Sequence, residues 1–152
     1  METPSTWVIV ADGARARFFE RNKDRTLKEF DVLVSPEGRL HEGQLTADRA
    51  GRAFDSRGGG RHAMEPRHSA REHQVTVFAK QLAEHIDDAR VAGYLDRLVL
   101  VAPPKFLGEL RTSLCPGARA VVVHSIDKEL TTASAEEVAG HVDAELEVGR
   151  GH

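Results

Sequence analysis

Three short runs of uninterrupted apolar residues constrain this chain most: Trp7-Val8-Ile9-Val10-Ala11, Leu98-Val99-Leu100-Val101-Ala102 and Ala120-Val121-Val122-Val123. Each has strand length and is rich in β-branched residues. None shows the polar alternation of a strand with one wet face. Such strands belong in a sheet covered on both sides. A helical pattern separates the second run from the third, which predicts parallel crossover pairing between them. A chain of 152 residues can bury a core of this kind as one domain.

The segments between the runs fill in the rest. Asp12-Gly13 is a hairpin signal. From Ala14 to Glu20 the residues Arg15 and Arg17 alternate with Ala16 and Phe18, as in a half-buried strand. After a polar turn at Asn22 to Arg25, Leu27 to Val34 reads as a third strand with Phe30, Val32 and Val34 on one face. Pro36 ends it, and Glu37 to Leu45 is compatible with a short helix. Ser69 and Glu72 have the spacing of a capping box. Beyond them Val75, Phe78, Ala79, Leu82 and Ile86 mark an amphipathic helix to about Val91, which Gly93 is placed to stop.

Pro103-Pro104 opens another helix, with Phe106, Leu107, Leu110 and Leu114 as its buried stripe. Pro116-Gly117 breaks it before the third apolar run, which continues through Ile126. Ser134 with Glu137 is a second capping box, leading a final helix that buries Val138, Val142 and Leu146. The tail at 149–152 is expected to fray. The sum is an α/β fold with an α+β-like order at its start: a mixed sheet of about five strands covered by helices, one domain over 6–148.

The stretch 47–69 stands apart, because it has three consecutive glycines and almost no apolar residues. It is expected to be a long loop, of the kind that is usually functional or disordered. From Arg49 to His73, six arginines against Asp55, Glu65 and Glu72 leave a local +3. The whole chain carries −3, so the remainder carries −6. An acidic body with one basic segment points to a local anionic partner rather than to a general polycation. Guanidinium groups grip phosphate in bidentate fashion, and glycines let backbone amides approach it. The candidate contact residues are therefore Arg49, Arg52, Arg57, Gly58, Gly59, Gly60, Arg61, His62, Arg67 and Arg71. Arg71 is expected at a helix start, where free amides favour an anion. Phe54 is the one aromatic residue in the segment, so base stacking has little support.

Other chemistries find less footing. Cys115 is the only cysteine, which excludes an internal disulfide and a cysteine-based zinc site. His62, Glu65, His68, Glu72 and His73 fit no standard metal spacing, so neither metal nor cofactor is expected. There is no Gly-x-Ser-x-Gly elbow and no phosphate-loop motif. Asp12 and Asp127 fall near strand ends, where α/β sheets place ligands, but Asp12 is explained by its hairpin. A non-catalytic role is the expectation. His62 is the candidate base of an alternative, a hydrolase acting on an RNA or peptidyl-tRNA ester. The first apolar run stops at Asp12, too short for a signal core or a membrane span, which makes a soluble cytoplasmic protein the expectation.

The elements "WVIVADGARAR" at Trp7 to Arg17, "ADRAGRAFDS" at Ala47 to Ser56, "VFAKQLAEHI" at Val77 to Ile86 and "LVLVAPPKFLGELR" at Leu98 to Arg111 together resemble the bacterial host-attachment protein family. The resemblance covers roughly Thr6 to Val142. That family is similar to the middle domain of archaeal and eukaryotic peptide-chain release factors, a mixed-sheet domain related to the ribonuclease H-like layout. In those factors a Gly-Gly-Gln loop precedes a long helix. Gly58-Gly59-Gly60 holds the same relative place here, but Arg61 and His62 follow instead of glutamine. The resemblance therefore implies the fold and a ribosome or RNA partner, not the release-factor hydrolysis. It also implies a third reading, an interaction protein acting indirectly in attachment to host cells.

Overall fold

The computed structural model of the chain describes residues 5–35 and 48–150, with side chains at 5–35 and 70–147. Five strands form one sheet: β1 (Thr6–Ala11), β2 (Arg15–Arg21), β3 (Leu27–Val34), β4 (Arg97–Ala102) and β5 (Val122–Asp127). Their order is β3-β2-β1-β4-β5. The pairs β1–β2 and β2–β3 are antiparallel, whereas β1–β4 and β4–β5 are parallel. Among the described residues the helices are α1 (Asp48–Val91), α2 (Pro104–Ser113), α3 (Pro116–Ala120) and α4 (Ala135–Arg150). The expected mixed α/β architecture is what forms.

The apolar runs are explained by two cores, one on each side of the sheet. Trp7, Ile9, Phe18, Leu98 and Leu100 pack with Phe78, Leu82 and Ile86 of α1 and with Phe106 and Leu110 of α2. Val8, Val10, Phe19, Val99 and Val101 pack with Val138 and Val142 of α4. Successive residues of β1 and β4 thus enter opposite layers, and both parities must be apolar. The third run departs from expectation. β5 starts at Val122, after the short helix α3, and lies at the sheet edge with only Ile126 buried. An edge strand has one neighbour and less cover, so Val123 stays half exposed.

β3 corrects a second expectation. Phe18 pairs with Asp31 and Phe19 with Glu29, so Phe30 is the extra residue of a bulge. A bulge shifts the side-chain alternation by one. Phe30 is turned to Trp7 and Phe18, with ring centroids at 4.8 and 6.1 Å. Val32, opposite Arg17, belongs to the other face.

The largest correction concerns α1. It begins at Asp48 rather than at Ser69, so the expected loop is helical backbone from Asp48 onward. Ser69 falls inside the helix rather than at its start. Helix growth from a packed half needs only one hydrogen bond per added residue, without an apolar stripe. Alanine and arginine favour it, against about 1 kcal/mol for each of Gly58, Gly59 and Gly60 and about 3 for Pro66. The proposed short helix at 37–45 lies outside the described residues. At the far end α4 includes Gly149 and Arg150, which were expected in a frayed tail.

Two terminal signals act as expected. The Ser134 amide donates to Glu137 Oε1 at 3.0 Å and the Glu137 amide to Ser134 Oγ at 3.1 Å, a reciprocal capping box at α4. At the end of α1, the Gly93 amide donates to the Arg90 carbonyl and the Tyr94 amide to the Ala89 carbonyl, at 3.0 and 2.9 Å. This is a Schellman termination with Gly93 at φ +88°. A Cβ on Gly93 would meet nothing within 4 Å, so its cost is purely backbone strain. Gly93→Ala is expected to lose about 1–2 kcal/mol in urea unfolding; unchanged stability would contradict the left-handed conformation.

Candidate nucleic-acid interface

The ten sequence-predicted contact residues all fall on α1. Arg71 is exposed, and the other nine lie where side chains are outside the described residues. Two features of the expected phosphate grip change with a helical backbone. Arg71 is not in a first turn, so it has no cluster of free helix-start amides beside it. The amides of Gly58, Gly59 and Gly60 sit in a helix interior, where amides are directed to the carbonyls four residues back. What remains available for an anion is the guanidinium chemistry.

α1 is anchored to the body by its second half. Phe78, Ala79, Leu82 and Ile86 are fully buried, and Phe78 stacks on Phe106 with centroids at 6.0 Å. Thr76 adds a long hydrogen bond to Glu109 of α2 at 3.4 Å. Asp87 accepts from Arg90 Nη2 at 2.7 Å and from the Cys115 thiol at 3.2 Å. These donors, Arg90 first, hold the Asp87 carboxyl below its ordinary range. Cys115 is half buried and its proton faces a carboxylate, an arrangement that ties α1 to α3 rather than arming a nucleophile.

The sheet ends show why Asp12 is structural. Its Oδ1 accepts from the amides of Ala14 and Arg15 at 2.8 and 2.9 Å, closing the hairpin. Its Oδ2 accepts from the Thr131 hydroxyl at 3.2 Å. Among the described residues no group of three or more His, Cys, Asp or Glu is placed to hold a metal. His124 lies 3.2 Å from Glu145, and His85 packs on the Phe18 ring with centroids at 4.9 Å. Among the described residues no helix is long and apolar enough to cross a membrane.

One tie spans the sheet and the β5–α4 connection. Arg17 Nε and Nη2 donate to the two carboxylate oxygens of Glu29 at 3.0 and 2.9 Å. Its Nη1 donates to the carbonyls of Thr131 and Ala133 at 3.0 and 2.7 Å. The guanidinium also lies 5.0 Å from the centre of the Phe19 ring. Sequence reasoning read Arg17 only as the polar half of an alternating strand. A second feature it missed is the concavity beneath the end of α1, lined by Trp7, Phe30 and Tyr94. Its residues are far apart in sequence, and no local signal announces them.

The fold and its surface define an α/β domain with one long helix carrying a concentrated basic segment. A model of the family described as "Protein required for attachment to host cells" matches residues 7–142, and the chain belongs to that family. The resemblance carried by the four sequence elements is thereby borne out. Among solved structures the chain is similar to an archaeal translation termination factor, aRF1, at 13% identity and a TM-score of 0.41. That similarity covers 97% of this chain and 41% of the termination factor, so the chain spans about two fifths of that protein's length. Comparison with curated proteins finds no match.

Proposed function

We propose that this member of the host-attachment family is a non-catalytic cytoplasmic domain whose basic half of α1 contacts RNA, with ribosomal RNA or tRNA as the partner. Its part in host attachment is then indirect. The observation that carries the reading is a segregation of charge once the segment is counted as a helix. At about 100° per residue, Arg49, Arg52, Arg57, Arg61, Arg67 and Arg71 fall within one half of the circumference, about 180°. Asp48, Asp55, Glu65 and Glu72 occupy the remaining arc, about 120° wide by the same count. Six cations on one side, on a body of opposite net charge, suit a phosphate backbone. With Phe54 as the sole aromatic, recognition would be by phosphate rather than by base.

The test is binding to ribosomes and to a structured RNA over a salt series, for wild type and for Arg57, Arg61 and Arg67 all changed to alanine. Wild type should give a steep fall of log affinity with log salt. The variant should bind more weakly, with a slope reduced by roughly 2–3 if each arginine holds one phosphate. Equal affinity and slope for both proteins, or binding by neither, would overturn the proposal.

A further inference from the structure

The concavity under the C-terminal end of α1 has a chemistry of its own. It has a volume of about 590 Å³, within the size range of small-molecule sites. Its apolar walls are the rings of Trp7, Phe30 and Tyr94. Trp7 is the inner wall at 7% exposure, whereas Phe30 and Tyr94 are 43% and 67% exposed and form the open sides. The bulge in β3 is what turns Phe30 toward Trp7. Without it, that ring would sit on the opposite face of the sheet.

Three of the polar lining residues are acidic. Glu20, Asp31 and Asp88 contribute carboxylates, and none forms an ion pair among the described residues. Lys28 stands opposite Glu20 in the strand register without pairing to it, and among the described residues Asp31 accepts from the Val32 amide at 2.9 Å. Among the described lining residues His85 is the one basic side chain, and its ring is against Phe18. The end of α1 closes the same wall, and a helix C-terminus carries partial negative charge. Aromatic faces and carboxylates favour the same ligand, because a ring's negative face and a carboxylate both attract a cation.

We propose that this concavity is a binding site for a small organic cation with an alkylammonium or guanidinium head. The head would sit against the exposed side of the Phe30 ring, whose other side contacts Trp7, with Glu20 and Asp88 neutralising it at the rim. The site is separate from the RNA reading: roughly 21 Å of helix lies between Arg71 and His85.

Trp7 is the only tryptophan in the chain, so its fluorescence reports on this wall alone. Choline, tetramethylammonium and agmatine should each change it saturably, while 3,3-dimethyl-1-butanol, the neutral carbon counterpart of choline, should not. Phe30→Ala should weaken the cation response about threefold or more, in line with an exposed cation–ring contact. The pair Glu20→Gln with Asp88→Asn should weaken it roughly twofold to tenfold and flatten its salt dependence. All three substituted residues are solvent-exposed, and unchanged far-ultraviolet dichroism would confirm that the variants fold. A response to the neutral alcohol equal to that of choline would overturn the proposal. So would cation binding unaltered in both variants. If a lysine-containing peptide binds and the free cations do not, the small-molecule assignment is wrong and the site serves a protein side chain.

Discussion

Arg17→Met is expected to lower unfolding free energy by about 3 kcal/mol, because one side chain satisfies three acceptor groups on two different segments. Its side chain is 16% exposed, and its guanidinium bonds Glu29 of β3 and the carbonyls of Thr131 and Ala133 ahead of α4. Methionine keeps the stem's packing but removes every donor. Two part-buried carbonyls and a carboxylate then lose their partners together, which costs more than the net worth of the bonds themselves. Arg17→Lys should recover little of the loss, since an ammonium cannot reproduce a bidentate grip on Glu29 while reaching two carbonyls.

The same pair makes a pH prediction. Hydrogen bonding from Arg17 holds the Glu29 carboxyl below its ordinary value. The folded pKa is therefore depressed relative to the unfolded chain. The associated stabilisation is present above the unfolded carboxylate value of about 4.3 and is lost as pH falls through the folded value. Glu29 is a third exposed, so solvent screening keeps this part well under about 1 kcal/mol. Urea unfolding at pH 7 and pH 3 should show a narrower gap between wild type and Arg17→Met at the lower pH. A gap that widens in acid would refute the assignment.

Phe78→Ala should be the most damaging single change, at about 4 kcal/mol. Phe78 is fully buried where α1, α2 and the sheet meet, and it stacks on Phe106. Removing a buried ring loses its transfer free energy and leaves a cavity that rigid neighbours cannot fill. For a chain of this size the melting temperature should drop by about 10 °C. The anchored half of α1 is also what holds the arginine half in place. If the proposed interface is right, Phe78→Ala at low temperature, still folded, should retain the wild-type salt slope for RNA. A loss of slope without loss of fold would separate the interface from the arginines.

Much of this molecule was legible before any coordinates. Two of the three apolar runs are central strands, the helices bury the residues that fell at helical spacing, and Ser134 with Glu137 forms its capping box. Gly93 stops α1 because no other residue adopts φ near +88° without strain. The family was legible from four short elements that span the chain.

The candidate sites were less so, for one reason in each case. The six arginines look irregular when counted along a loop and fall into one arc only when counted around a helix; Gly58 to Gly60 and the scarcity of apolar residues argued for the loop. The aromatic concavity joins Trp7, Phe30 and Tyr94 from β1, β3 and the turn after α1. Strand alternation placed Phe30 on the wrong face, because a bulge displaces it by one residue and alternation cannot detect that. Periodicity is a local property, so sequence alone determined which elements form and which faces they bury. Register and long-range apposition are set by packing between distant segments. Tertiary structure alone therefore decided which rings and charges meet.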